Sequence, residues 1–156
     1  MAERIAIVSD HAAFEMKAAL ADELRAGGHE VLDLGTASTD SVDYPDYGYR
    51  MAEAIASGRA GRGIALCGSG IGISISINRH PACRCALVSE PLSAKLARAH
   101  NDANVLALGG RLIGLEMARA CVDAFLATPF AGGRHERRID KLSNPSFAPI
   151  AEDQPA

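Results

Sequence analysis

The sequence predicts a three-layer α/β sandwich: a parallel sheet with helices on both faces. Two patterns and one piece of arithmetic carry that expectation. Short apolar runs alternate with segments whose apolar residues recur at helical spacing, five times over. Glycine, proline or a Thr/Ser/Asp-rich loop separates one run from the next. With 156 residues, 48% hydrophobic and 22% charged, the chain is long enough for one compact core and too apolar for disorder.

Each element can be justified in turn. Arg4 to Ser9 is an apolar run that stops at Asp10-His11, the first strand. Phe14, Met16/Lys17, Leu20 and Leu24 follow at helical spacing, and Gly27-Gly28 ends that helix as a C-cap. Glu30 to Leu34 reads as the second strand, the loop Gly35 to Pro45 as a polar connection, and Tyr44 to Ser57 as a helix carrying Met51 and Ile55. The third strand spans Arg62 to Cys67 and leads through Gly68-Ser69-Gly70-Ile71-Gly72 into a short helix ending near Arg79. Arg84 to Ser89 is the fourth strand. Pro91 then sits where a first helical residue belongs, with Leu92, Leu96 and Ala99 on one face of the helix. Asn104 to Leu108 is the fifth strand, and Leu115, Ala118, Val122 and Phe125 mark the fifth helix. Parallel strands joined by helices require right-handed crossovers. The segment 129–156 is too polar to form another core layer. It is either a frayed tail or a C-terminal arm reaching a partner, on a single domain spanning 1–156.

Charge and composition exclude several classes. A formal net charge of -3 lacks the basic footprint of a nucleic-acid binder. The longest uncharged stretch, Gly63 to Asn78, is interrupted by glycine and serine and falls short of the ~20 apolar residues of a membrane span. Charges at Glu3, Arg4, Asp10 and Glu15 leave no secretory signal. Cys67, Cys83, Cys85 and Cys121 show neither CxxC spacing nor a clustered histidine, so they read as reduced thiols of a cytoplasmic protein and not as a metal site.

Ligands of open parallel sheets bind beyond the carboxyl ends of the strands. That rule selects Asp10-His11, Cys67 to Gly72, Ser89-Glu90 and Gly109 to Arg111. Three glycines in five residues between a strand and a helix let the backbone approach a ligand and aim N–H groups at an anion; the bland alternative is a tight turn. Cys67 immediately precedes this loop, where such donors favour a thiolate, whereas the other three cysteines read as small buried hydrophobes. His100 closes the fourth helix and suits either a cap or a site, and Asp10 is equally a good helix N-cap. Arg134, Arg137 and Arg138 suit a solvated face or an anion site. A dinucleotide fingerprint with Glu90 on the ribose fits poorly, because the third glycine comes one residue early and the loop follows the third strand. From the residues alone, the chain is an α/β enzyme for a small anionic substrate, with a phosphate-ligand sensor as the non-enzymatic alternative.

Six ordered motifs then carry a resemblance: Ser9 to Phe14, Asp43-Tyr44-Pro45, Cys67 to Ser74, Ser89-Glu90-Pro91, His100 to Leu106 and Gly132-Gly133-Arg134-His135. Over roughly Ile5 to Leu142 the chain resembles the type B ribose-5-phosphate isomerases of the ribose/galactose isomerase family. The resemblance implies a Rossmann-like sheet, interconversion of D-ribose 5-phosphate and D-ribulose 5-phosphate in the pentose phosphate pathway, and no cofactor. It implies Cys67 as the base, Ser69 at the substrate oxygens and His100 opening the furanose ring. Asp10 and Asn101 would hold sugar hydroxyls, and Tyr44 would line the pocket with Gly68, Gly70, Ile71 and Gly72. His11, Arg111, Arg134 and Arg138 would bind phosphate. A second branch of the family uses a glutamate where this chain has Ile73, which places the sequence in the cysteine branch. The family also includes isomerases of allose 6-phosphate, galactose 6-phosphate and four-carbon phosphates. Its working unit is a homodimer, with a tetramer as the alternative, so Arg134 and Arg138 are expected to complete a partner's phosphate site.

Overall fold

In a computed structural model that describes residues 2–149, strands and helices alternate as the punctuation predicts. They are β1 (Arg4–Ser9), α1 (Phe14–Ala26, after a 3-10 turn His11–Ala13), β2 (Glu30–Asp33), α2 (Tyr44–Ala56), β3 (Arg62–Cys67) and α3 (Ile71–Ile77). The second half continues with β4 (Cys85–Leu87), α4 (Pro91–Asn101), β5 (Val105–Gly109), α5 (Leu115–Ala127) and α6 (Arg134–Ser143). All strand pairs are parallel, in the order β2-β1-β3-β5-β4.

Side-chain alternation along the strands divides the core into two layers. Ile5, Ile7, Ile64, Leu66, Leu106 and Leu108 face α1, α4 and α5, where Leu20, Ala94, Val122 and Phe125 cover them. Ala6, Val8, Ala65, Cys67 and Val105 point the other way, toward Met51 of α2 and Ile73 and Ile77 of α3. Connections that step along the sheet from β2 toward β4 use the second face, and those that step back use the first, as a single crossover handedness demands. No helix among the described residues is long and apolar enough to cross a membrane.

Three local differences from the sequence expectation have physical reasons. The fourth strand is shorter than Arg84 to Ser89, because β4 is an edge strand and side chains replace a neighbour at its start. Asn78 pairs with both the N–H and the carbonyl of Cys85 at 2.7 and 2.8 Å, and Arg84 donates its N–H to Asn104 at 2.8 Å. Lys17, on the inward stripe of α1, is only 2% exposed. Its ammonium bonds both carboxylate oxygens of Asp33 and the carbonyl of Thr36, so burial leaves no charge unpaired.

The third difference is the segment after residue 128. Its described part docks on α4 of its own chain and forms α6, ending at Ser143, and residues 150–156 lie outside the described residues. Ala131 donates its N–H to the Ala99 carbonyl at 3.0 Å, and the Arg98 guanidinium donates to the Thr128 carbonyl at 3.3 Å. Gly132 and Gly133 lie at φ 66° and 61°, a fixed left-handed corner that starts the helix.

Candidate active site

The strand order reverses between β1 and β3, whose following helices leave toward opposite faces of the sheet. A crevice therefore opens beyond their carboxyl ends. Ser9 pairs with Leu66 there, so Asp10 and His11 enter the crevice from one side and Cys67 from the other. Only the tertiary arrangement brings them together.

Cys67 ends β3 at 4% exposure and turns its thiol toward the glycine loop, where Sγ accepts the N–H of Gly70 at 3.1 Å. Gly70 adopts φ 76°, and a side chain there would run into Leu87 and the backbone of Leu108, so the turn needs glycine. Ser69, half-buried, accepts the N–H of Ile71 on its hydroxyl at 3.2 Å. The next N–H groups, those of Gly72 and Ile73, belong to the first turn of α3 and have no acceptor within their own helix. Tyr44 lies against Gly72 so closely that an added Cβ would sit 2.5 Å from its ring. On the far side of the loop Arg111 donates its backbone N–H to the Gly68 carbonyl, and its side chain passes over Gly68.

Asp10 is 6% exposed and accepts the N–H of Ala12 at 3.0 Å, the N-cap use that its sequence context allowed. His11 accepts the N–H of Val42 on Nδ1 at 3.1 Å. That bond assigns the neutral ring's proton to Nε2, leaving this nitrogen to donate to a ligand. The loop supplying Val42 is anchored by the Lys17–Thr36 bond and by the Tyr47 hydroxyl, which donates to Thr36 Oγ1 at 3.3 Å. Neither anchor is legible in the sequence as support for the site, because each is defined by a partner distant along the chain.

His100, Asn101, Arg134 and Arg138 do not join this cluster. Helix α4 begins beside the carboxyl end of β4, and its 11 residues run about 16 Å back toward the amino edge. His100 and Asn101 thus lie near the Gly63–Val105 end of the sheet, on the order of 13 Å of strand from Cys67. Arg134 and Arg138 are four residues apart on one face of α6, which packs on α4, and all four side chains are exposed. Asp102, which ends α4, is engaged by Arg98 at 2.8 Å and Arg84 at 3.4 Å. Inspection of the sequence singled out the Gly-Gly-Arg-His motif, but not what its histidine does. His135 is 9% exposed and stacks on His100, with ring centroids 4.5 Å apart and planes 12° from parallel.

The remaining candidates resolve simply. Glu90 caps α4, accepting the N–H groups of Leu92 at 2.6 Å and Ser93 at 2.9 Å, so its carboxylate is occupied by its own helix and does not serve a ribose. Bonds from Ser93 and Leu92 hold that carboxyl below its ordinary range. Burial pushes the Cys83 thiol up to about 11 and raises Cys85 and Cys121 as well, which keeps them protonated and inert. Ile73 is fully buried among the α2–α3 core residues.

Comparison with known proteins agrees along nearly the whole chain. A family model described as Ribose/Galactose Isomerase matches residues 5–142. Ribose-5-phosphate isomerase B of Escherichia coli K12 is 44% identical over 141 residues, covering 90% of this chain and 95% of the relative. Among solved structures, a ribose 5-phosphate isomerase from Thermotoga maritima is 55% identical with a TM-score of 0.89, covering 90% of this chain and 97% of its own. Ribose-5-phosphate isomerase B from Mycoplasma genitalium, solved with bound ribulose 5-phosphate, is 37% identical with a TM-score of 0.86, covering 90% and 93%.

Proposed function

The chain belongs to the ribose/galactose isomerase family and interconverts D-ribose 5-phosphate and D-ribulose 5-phosphate; we propose that Cys67 is the base and that a second copy of the chain completes each site. The observation that carries this reading is the Cys67 thiol, buried at the sheet's switch point with its sulfur held by the Gly70 N–H.

Moving a proton between C2 and C1 passes through an enediolate, whose negative charge must be met as it forms. Backbone N–H groups aimed beforehand at the oxygen position do this without reorganisation. The Gly68–Gly72 loop supplies them. The Gly70 N–H serves the sulfur, those of Gly72 and Ile73 remain for a substrate oxygen, and Ser69 adds a hydroxyl. Cys67 takes the proton from one carbon and returns it to the other. Ile73, where the second branch of the family carries a glutamate, has no titratable group to compete for this role.

Asp10 and Tyr44 hold the sugar, and His11 and Arg111 meet the phosphate from the Cys67 side. His100 opens the ring, Asn101 holds a hydroxyl, and Arg134 and Arg138 complete the phosphate site. Their separation from Cys67 along the sheet supports assigning these four residues to the site of a partner. A two-fold dimer would then hold two equivalent composite sites. Ile71 and Ile75, one helical turn apart on α3, and Leu87 on β4 leave an apolar surface beside the glycine loop that a second copy would cover. The reading places the protein in the cytoplasm.

A coupled assay over aldose phosphates of four, five and six carbons tests the substrate. The expected result is the highest kcat/KM on ribose 5-phosphate. A higher value on allose 6-phosphate or galactose 6-phosphate would reassign the sugar, and no turnover of any would point to a sensor.

A further inference from the structure

We propose that His135 is the positioning residue of His100: its ring, stacked flat on the His100 imidazole, sets the plane in which His100 meets the sugar. The inference rests on the reading of His100 as the ring-opening group. Helix α6 is predominantly charged and polar and buries one residue, His135. That residue is delivered to the last turn of α4 by the Gly132-Gly133 corner and by the bond from Ala131 to Ala99, which fixes the approach of the two helices.

The physical need is specific. The second side-chain torsion of histidine has broad minima, so an exposed imidazole at a helix end swings freely. A ring that must exchange a proton at a defined atom loses rate with such freedom, because displacement by an ångström costs up to about a hundredfold. A flat partner at 4.5 Å, itself buried, restricts that swing while leaving the edge of the His100 ring open. Burial, and after it the charged groups His100 from α4 and Arg134 and Arg138 from its own helix, hold His135 below the ordinary histidine range. This favours the neutral form of His135, so that the stack is not driven to set two cations face to face.

The experiment compares His135→Ala, His135→Phe, His100→Ala and the double variant His100→Ala/His135→Ala on ribose 5-phosphate, with thermal unfolding to confirm that each is folded. His135→Ala should lower kcat about tenfold with KM little changed, and His135→Phe, which keeps a flat ring, should recover most of that loss. The double variant should be no slower than His100→Ala, since a residue acting only through His100 has nothing left to position. In NMR spectra, the His100 ring resonances should shift and broaden in His135→Ala and stay sharp in His135→Phe. Unchanged resonances in His135→Ala overturn the proposal, as does additive loss in the double variant or a raised KM with kcat intact, which would mean direct contact with phosphate. If His100→Ala turns over at the full rate, the role given to His100 fails, and the resonances still decide whether His135 orders that ring.

Discussion

At the carboxyl edge of the sheet, Cys67 and Asp10 are 4% and 6% exposed, and a backbone N–H bonds each side chain. At the amino edge, His100, Asn101, Arg134 and Arg138 are exposed, and only His100 has an aromatic partner. The first cluster is complete within one chain, because strand ends and glycine turns place it with no long side chain to order. The second relies on arginines and a helix terminus, whose rotamer freedom must be restricted by something they meet. The contrast teaches that one cluster is preorganised within a single chain by short side chains and backbone N–H groups. The other presents its side chains on an exposed surface, which is why the proposed function gives them to a second copy.

The most severe way to break the first cluster is Cys67→Ala. It should lower kcat by about 10²–10⁴-fold, the range of acid–base catalysis, with little change in binding of ribose 5-phosphate. Iodoacetamide should inactivate the unmodified protein, and the substrate should protect it. Turnover near normal in Cys67→Ala would remove the thiol from the mechanism. His100→Ala strikes the other cluster and should cost about 10²-fold on ribose 5-phosphate. It should cost much less on erythrose 4-phosphate, too short to close a furanose ring, in a protein that turns this substrate over. Equal losses on both would show that His100 has no part in ring opening.

Mixing tests the separation itself. Cys67→Ala and the Arg134→Ala/Arg138→Ala double variant should each be nearly inactive. After random exchange at equal amounts, about a quarter of all sites should be intact, because half of the dimers are mixed and each mixed dimer concentrates both defects in one site. No recovery despite demonstrated exchange would assign the arginines to their own chain's site. The smallest effect is on stability. Burial, with His100, Arg134 and Arg138 close by, lowers the His135 pKa, whereas an unfolded chain titrates near ~6.5. From about pH 7 downward the unfolded state binds a proton that the folded state refuses, so stability falls through that window. His135→Phe should flatten this part of the melting-temperature profile, and parallel profiles would show that His135 contributes nothing to it.

Much of the architecture was legible because its signals are local. Apolar runs, Gly27-Gly28, Pro91 and the glycine loop mark strand and helix ends by backbone preference alone, and they placed β1 and β3 to the residue. The importance of Cys67 was legible for the same reason, as a thiol adjoining a turn only glycine can make. Signals that depend on distant partners were not legible. Lys17 looks exposed until Asp33 and Thr36 are seen to surround its ammonium. The segment after residue 128 has too few apolar residues to announce a helix; two hydrogen bonds at Thr128 and Ala131 tie the approach to α6 onto α4, and a stacked ring from α6 joins them.

The sequence by itself determined the alternation of strands and helices, the glycine loop and the chemical types available, because those follow from side-chain volume, backbone freedom and hydrogen-bonding capacity along the chain. The tertiary structure alone decided which residues share a site. Reversal of strand order between β1 and β3 brings Asp10 and His11 to Cys67 across more than fifty residues of sequence. Helix α4 runs back toward the amino edge and carries His100 away from the Cys67 of its own chain. Proximity in a parallel sheet is set by crossover direction and strand order, and neither is encoded at any single position.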